Sequence, residues 1–415
     1  MTPLRLIAVF LTCTPGVRAA DEFFDRLENT LTFSAPDTRV RARLSGTFEI
    51  ESYAMQLPAP GLLYSKNETL TAPRLNVFLD AQLGSGVYFF AQMRADRGFD
   101  PGAAGGAQVR LDEYALRLTP WRDSRLNVQL GRFATIVGNW TGRHGAWSNP
   151  LITAPLPYEN LTGVWDAEAA RTSTALLQWS HVRAGLPAAV TAAEKNLRVP
   201  IVWGPSYATG VVVSGDIGRL RYAGEVKLGS LSSRPEAWQH GLEERHHPTA
   251  SARLGYRPNQ MWNVGMSASA GPYLREFAAR TVAAGRGRGD YEQRVLAADV
   301  TFGWHHLQVW SEVFAARFKI PNVGDADTLS YYTEAKYKFT PQLFGAVRWN
   351  QQLFATIPHR GVATKWGQDV WRVDFAPGYR FTSHTQLKLQ YSLQHGDSAS
   401  RDYTRTLALQ MTVRF

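Results

Sequence analysis

Residues suited to chemistry are few and scattered in this 415-residue chain. Asp112-Glu113 is an isolated acidic pair on a strand-like segment and reads as wall lining rather than acid–base machinery. His246-His247 and His305-His306 have no further ligand at readable spacing; one pair lies in a loop and the other in a tight turn, so no metal is expected. Gly285-Arg-Gly-Arg-Gly289 is a basic loop tip, and cradling a phosphate would require a strand before it and a helix after it. No Ser-centred G-x-S-x-G motif stands out, so neither an enzyme nor a cofactor is expected. One segment differs from the rest. Residues 133–162 form a connection carrying Trp140, Arg143, His144, Trp147 and Tyr158, with Arg132 just before it, and they are too aromatic and apolar for a solvated loop. Loops of this length in compact proteins are usually functional.

The elements that must position this loop are strands. In the last eleven residues Leu407, Leu409, Met411, Val413 and Phe415 alternate with Thr406, Ala408, Gln410, Thr412 and Arg414. An extended chain puts those sets on opposite faces, one apolar and one wet, which suits lipid on one side and water on the other. The pattern repeats from Val40 onward. Short turns at 84–86, 120–123, 170–172, 215–218, 257–260, 303–306, 340–342 and 382–384 alternate with longer connections rich in Gly, Pro and charge. These longer stretches are 56–73, 96–108, 133–162, 183–206, 230–248, 272–291, 317–328, 354–368 and 395–401.

This alternation predicts an all-β fold, a transmembrane antiparallel up-and-down barrel of about 18 strands with short periplasmic turns and long extracellular loops. The pair around 163–182 is interrupted by Asp166 and Glu168, and without it the count falls to about 16. A propeller would need a consensus motif at fixed period, and none is present. A barrel this wide must hold water or a plug. The polar phase places Arg39, Arg41, Arg43, Arg94, Asp112 and Arg372 on the inner wall, with acids such as Asp96, Glu334 and Asp374. Mixed signs would set a transverse field, and the surplus of Arg and Lys would tilt a pore toward anions; alternatively these are paired, solvated charges of little individual weight.

The layout and the terminal Phe415 resemble Gram-negative outer-membrane porins, whose C-terminal aromatic is part of the signal read by the barrel assembly machinery. The resemblance covers the architecture of the whole mature chain but names no subfamily. It implies that the third long loop, 133–162, folds inward and narrows the pore. By that analogy Arg132, Arg143 and His144 are candidates for the constriction, and Trp140, Trp147 and Tyr158 for fixing or lining it. It also implies a homotrimer.

Residues 1–20 read as a cleaved secretory signal, with Arg5, the apolar run Leu6–Leu11 and Val17-Arg18-Ala19 at the cleavage site. Cys13, the only cysteine, lies inside it. Residues 21–37 are expected to hold a short periplasmic helix and 38–415 the barrel. Mean hydropathy is −0.25, which a barrel tolerates because only alternate wall residues need be apolar. A net charge of +10 on an exported chain points to lipopolysaccharide or to anionic solutes rather than nucleic acid. The sequence therefore predicts an outer-membrane channel for small hydrophilic solutes, anions above all. Two alternatives stay open: a channel specific for sugars or acidic oligosaccharides, with Tyr88, Phe90, Trp310 and Phe314 stacking on rings, and a non-conducting surface-binding barrel.

Overall fold

The computed structural model describes residues 14–35, 40–98, 102, 106–121, 123–180, 195, 197–235, 247–396 and 402–415. Residues 1–13 of the expected signal, the expected wall charge Arg39 and His246 lie outside them. A 17-stranded antiparallel sheet comprises the short β1 (Thr32–Ser34) and a closed ring of 16 strands. The first half of the ring is β2 (Val40–Met55), β3 (Thr69–Leu83), β4 (Val87–Asp96), β5 (Gln108–Leu118), β6 (Asn127–Phe133), β7 (Ala208–Ile217), β8 (Leu220–Lys227) and β9 (Thr249–Tyr256). The second half is β10 (Trp262–Pro272), β11 (Glu292–Trp304), β12 (Leu307–Ile320), β13 (Gly324–Lys338), β14 (Leu343–Phe354), β17 (Val370–Arg380), β18 (Thr385–His395) and β19 (Tyr403–Arg414). Each pairs with its neighbour in sequence, and β19 closes on β2 from Thr406↔Met55 to Arg414↔Thr47.

The lower of the two expected counts is the observed one. Among the described residues of the expected pair at 163–182, which end at 180, none forms a barrel strand: Trp165 makes an isolated bridge to Arg198, and Ser173–Ser180 is a helix. The Thr172 hydroxyl accepts the Ala175 amide at 3.2 Å at its start, and Leu176 and Leu177 are adjacent buried residues that no two-residue period could place on one face. The expected 170–172 turn is consequently not a hairpin. The connections 133–162 and 183–206 are parts of one excursion between β6 and β7. The 317–328 connection shrinks to 321–323, because β12 and β13 run on beyond the length a membrane requires.

The wall is apolar outside and polar inside. On β19, Leu407 and Leu409 are 45% and 43% exposed while Gln410 and Thr412 are 2% and 0%. A continuous exposed belt of this kind, with buried charge behind it, is the reverse of a water-soluble protein and fits lipid contact. At the long-loop end lies a conventional apolar core, with Leu176 and Leu177, Tyr273, Tyr291, Phe318, Ile357 and Trp366 buried together. It caps the tips of β12 and β13 with the helix 173–180 and the small hairpin of β15 (Thr356–His359) and β16 (Val362–Lys365). At the opposite, short-turn end, helix α1 (Thr14–Thr30) runs without a break across the expected cleavage point. It is held to the rim by Arg43–Glu28 at 2.5 Å and by His384 Nε2, 3.0 Å from Asp25 Oδ1.

Candidate pore constriction

The adjacent strands β3, β4 and β5 carry a row of inward guanidinium groups, Arg74, Arg94 and Arg110. Arg94 and Arg110 stand directly opposite each other in register. Two cations so placed repel, and interleaved carboxylates make the row tolerable. Arg74 reaches Glu49 at 3.1 Å and Glu51 at 3.3 Å; Arg94 reaches Asp96 at 2.6 Å; Arg110 reaches Asp96 at 2.7 Å and Asp112 at 3.3 Å. A register shift opposite Gln92 and Met93 inserts an extra residue at Asp112. That bulge turns the consecutive Asp112 and Glu113 to the same inner side, which strict alternation forbids. The Glu113 carboxylate then accepts the Ala134 amide at 2.7 Å, where the chain leaves β6.

From there the 134–207 connection is stitched to the inner wall. The Thr135 hydroxyl donates to Glu225 at 2.6 Å, the Gly138 amide to Ser267 at 3.1 Å, and the Asn139 amide to Glu312 at 3.1 Å. Gly138 has φ +76°, and a Cβ there would meet the Tyr158 hydroxyl at 2.0 Å, so only glycine fits this turn. Lys388 donates to the carbonyls of Ala146, Asn149 and Leu151 at 2.8–3.2 Å. Arg348 donates to those of Thr153 and Ala154 at 3.0 Å. Arg372 holds Glu159 and the Ala154 carbonyl. These buried cations of β14, β17 and β18 act as anchors. A buried charge must be paired, and here the partners are loop carboxylates and carbonyls.

The free face of the loop looks across at the arginine row. Between them lies a cavity of about 220 Å³ lined by Trp140, His144, Trp203 and Tyr207 from the loop and by Tyr53, Arg74, Arg94, Asp96 and Asp112 from the wall. His144 is fixed at both nitrogens, Nδ1 2.6 Å from the Thr141 carbonyl and Nε2 2.8 Å from the Tyr207 hydroxyl. Burial lowers its pKa and so disfavours the charged ring. A second cavity, of about 420 Å³ on the short-turn side, is lined by Asp80, Tyr88, Phe90, Glu113 and Arg117.

The expected constriction residues separate into groups. Trp140 and His144 line the cavity. Arg143 does not face it: the guanidinium meets Glu334 at 2.6 Å and lies over Trp310 at 4.4 Å. Tyr158 is fully buried, donating to Glu312 at 2.6 Å with its ring 4.8 Å from Trp140. Arg132 is 3% exposed beneath the start of the loop and donates to the Asp112 carbonyl at 3.2 Å. Trp147 sits much deeper, against the guanidinium groups of Arg414 at 4.2 Å and Arg380 at 4.9 Å near the short-turn end. Of the expected wall charges, Arg94 and Asp112 belong to the row, Arg372 is an anchor, and Arg41 and Arg43 lie at the rim. Of the ring-stacking aromatics, Phe314 packs on Tyr158 at 5.5 Å and Trp310 is covered by Arg143, leaving Tyr88 and Phe90 beside the lumen. Phe415 exchanges backbone hydrogen bonds with Gly46 at 2.9 and 3.0 Å, and its ring occupies the space a Gly46 side chain would need.

Sequence reading missed Arg74, Tyr53, Trp203 and Tyr207. Pro73 made 56–73 look like a loop, yet β3 continues through it. The proline is harmless there because β4 has ended at Asp96, so no ladder hydrogen bond is lost.

No protein-family model matches the chain, and no curated protein sequence does. Solved structures do. An anion-selective porin from Comamonas acidovorans is similar at TM-score 0.55 and 11% identity, over 91% of this chain and 100% of that one. The outer membrane channel DcaP of Acinetobacter baumannii gives 0.54 and 9%, over 92% and 99%. OmpT of Vibrio cholerae, in a trimer form, gives 0.53 and 8%, over 91% and 99%. The fold is thus that of the outer-membrane porin barrels.

Proposed function

We propose that the protein is an outer-membrane porin, a passive diffusion channel for small hydrophilic solutes that favours anions. The observation that carries this reading is the division of the lumen. Cations of β14, β17 and β18 hold the long connection against one half of the wall, while Arg74 and Arg94 on the other half border the remaining space, with Arg110 buried behind them. Fixed guanidinium groups beside a narrow passage with low-dielectric walls bias ion partition more than surface charges do. Further cations at the short-turn end, Arg41, Arg380 and Arg414, add positive charge along the path beyond the carboxylate-paired row.

With this reading go export by a cleaved signal in residues 1–20, recognition of Phe415 by the assembly machinery, contact with lipid and lipopolysaccharide, and a homotrimer. A channel specific for sugars or acidic oligosaccharides is the second reading, favoured by Tyr88 and Phe90 beside the lumen. Reconstitution in liposomes decides the first point. Swelling in small sugars and amino acids is expected, falling with solute size; no swelling would leave the surface-binding barrel instead, and uptake of one sugar alone would favour the second reading.

A further inference from the structure

Resting on the channel reading, we propose that the cavity between the arginine row and the long connection is a binding subsite for a small aromatic carboxylate. Hydrogen-bonding capacity is left unmet there. Each carboxylate of the lining has a cationic partner: Glu51 has Arg74, Asp96 has Arg94 and Arg110, Asp112 has Arg110, and Glu159 has Arg372. The tyrosine hydroxyls are committed as well, Tyr53 donating to Glu51 at 2.7 Å and Tyr207 lying 2.8 Å from His144. Among the described lining residues, two buried polar atoms make no hydrogen bond: Arg74 Nε, which only faces Asp96 Oδ2 at 3.7 Å, and Trp140 Nε1. Both are donors. A buried donor without an acceptor is costly, so a solute supplying acceptors is favoured.

A sugar hydroxyl needs acceptors as well as donors, and a cation needs an unpaired carboxylate. A carboxylate needs donors alone, and here it would find a guanidinium N–H and an indole N–H. The rest of the lining sets the other half of the molecule. Trp140, Trp203, Tyr53 and Tyr207 are each 5–9% exposed and offer ring surface to a planar apolar group. At about 220 Å³ the space lies below that of drug-sized ligand sites, which suits a single ring with one acidic group.

The test is concentration-dependent block of single-channel current at constant ionic strength, with benzoate, acetate and glucose as probes. Benzoate should block at about tenfold lower concentration than acetate. Trp140→Phe keeps a ring and loses the N–H, and Arg74→Lys keeps the charge and loses Nε. Each should raise the half-blocking benzoate concentration by about tenfold, the equivalent of one charge-assisted hydrogen bond. Block is scaled to each variant's own potassium chloride conductance. Benzoate blocking no better than acetate, glucose blocking as well as benzoate, or both variants blocking like the parent would each overturn the subsite and leave the channel reading in place. A protein that conducts nothing would overturn both.

Discussion

Arg143 and Glu334, 191 residues apart, meet at 2.6 Å with their side chains 11% and 0% exposed. The pair fastens the long connection to β13. Glu334 also receives Arg348 at 3.3 Å, and Tyr332 donates to Glu312 beside it. The Arg143 charge is therefore spent on attachment.

Replacing Arg143 with alanine should loosen the loop without reversing selectivity. Removing one member of a buried pair commonly costs roughly 3–5 kcal/mol, less here because Arg348 still faces Glu334. Single-channel records should show frequent conductance steps, and protease should nick 134–162 faster than in the parent. Steady currents with parental protease resistance would show that the other anchors suffice.

Leu409→Arg should impair folding into bilayers by roughly 2–4 kcal/mol near the midplane, because Leu409 stands on the exposed apolar face. Leu409→Phe should fold normally. The fraction of heat-modifiable protein in lipid vesicles measures both, and equal folding of the two would mean the outer face does not contact lipid.

Gly46→Val should mimic loss of the C-terminal aromatic. A Cβ at Gly46 would come within 2.4 Å of the Phe415 ring and 2.8 Å of the Asn76 carbonyl oxygen, so the ring must leave the seam where β19 closes on β2 and the β2 backbone must also give slightly against β3. Both Gly46→Val and deletion of Phe415 should lower the membrane-integrated level in cells. If only the deletion does so, Phe415 acts as an assembly signal independent of its packing.

The cap should respond to acid in a defined direction. Burial pushes the Asp166 carboxyl up to about 6 from 3.8, even though Arg275 lies 2.7 Å away and lowers it. A carboxyl with a raised folded-state pKa binds its proton more tightly when folded, so stability falls as pH rises from about 4 to about 6. Hydrogen exchange of peptides within 163–180, corrected for intrinsic rate, should show more protection at pH 5 than at pH 7. Asp166→Asn should remove the difference; weaker protection at pH 5 in the parent would contradict the assignment.

Local periodicity made the barrel legible, because lipid outside and water inside impose a two-residue alternation that β19 and most hairpins display. It failed where local pattern is ambiguous. Residues 163–182 mix apolar and polar residues enough to imitate strands, yet Leu176 and Leu177 are buried in a helix. The long connection was legible as special from Trp140, Trp147 and Tyr158, but its attachments were not. Lys388 to Ala146 and Arg372 to Glu159 span 242 and 213 residues, and no local signal carries such contacts. The inward phase of Arg94 was legible, but the proline inside β3 hid Arg74 and nothing local marked the bulge at Asp112: tertiary pairing decided both.

The most direct test of the central claim is the reversal potential under a tenfold potassium chloride gradient at low ionic strength, for the parent, Arg94→Glu and Arg143→Gln. The account predicts a parent potential of anion-preferring sign and a marked shift toward cations in Arg94→Glu. Arg143→Gln should shift it little. The Arg94 effect should shrink as salt rises, because the Debye length falls from about 30 Å at 0.01 M to about 3 Å at 1 M. A cation-preferring parent, or an Arg94→Glu potential equal to the parent's at low salt, would contradict it.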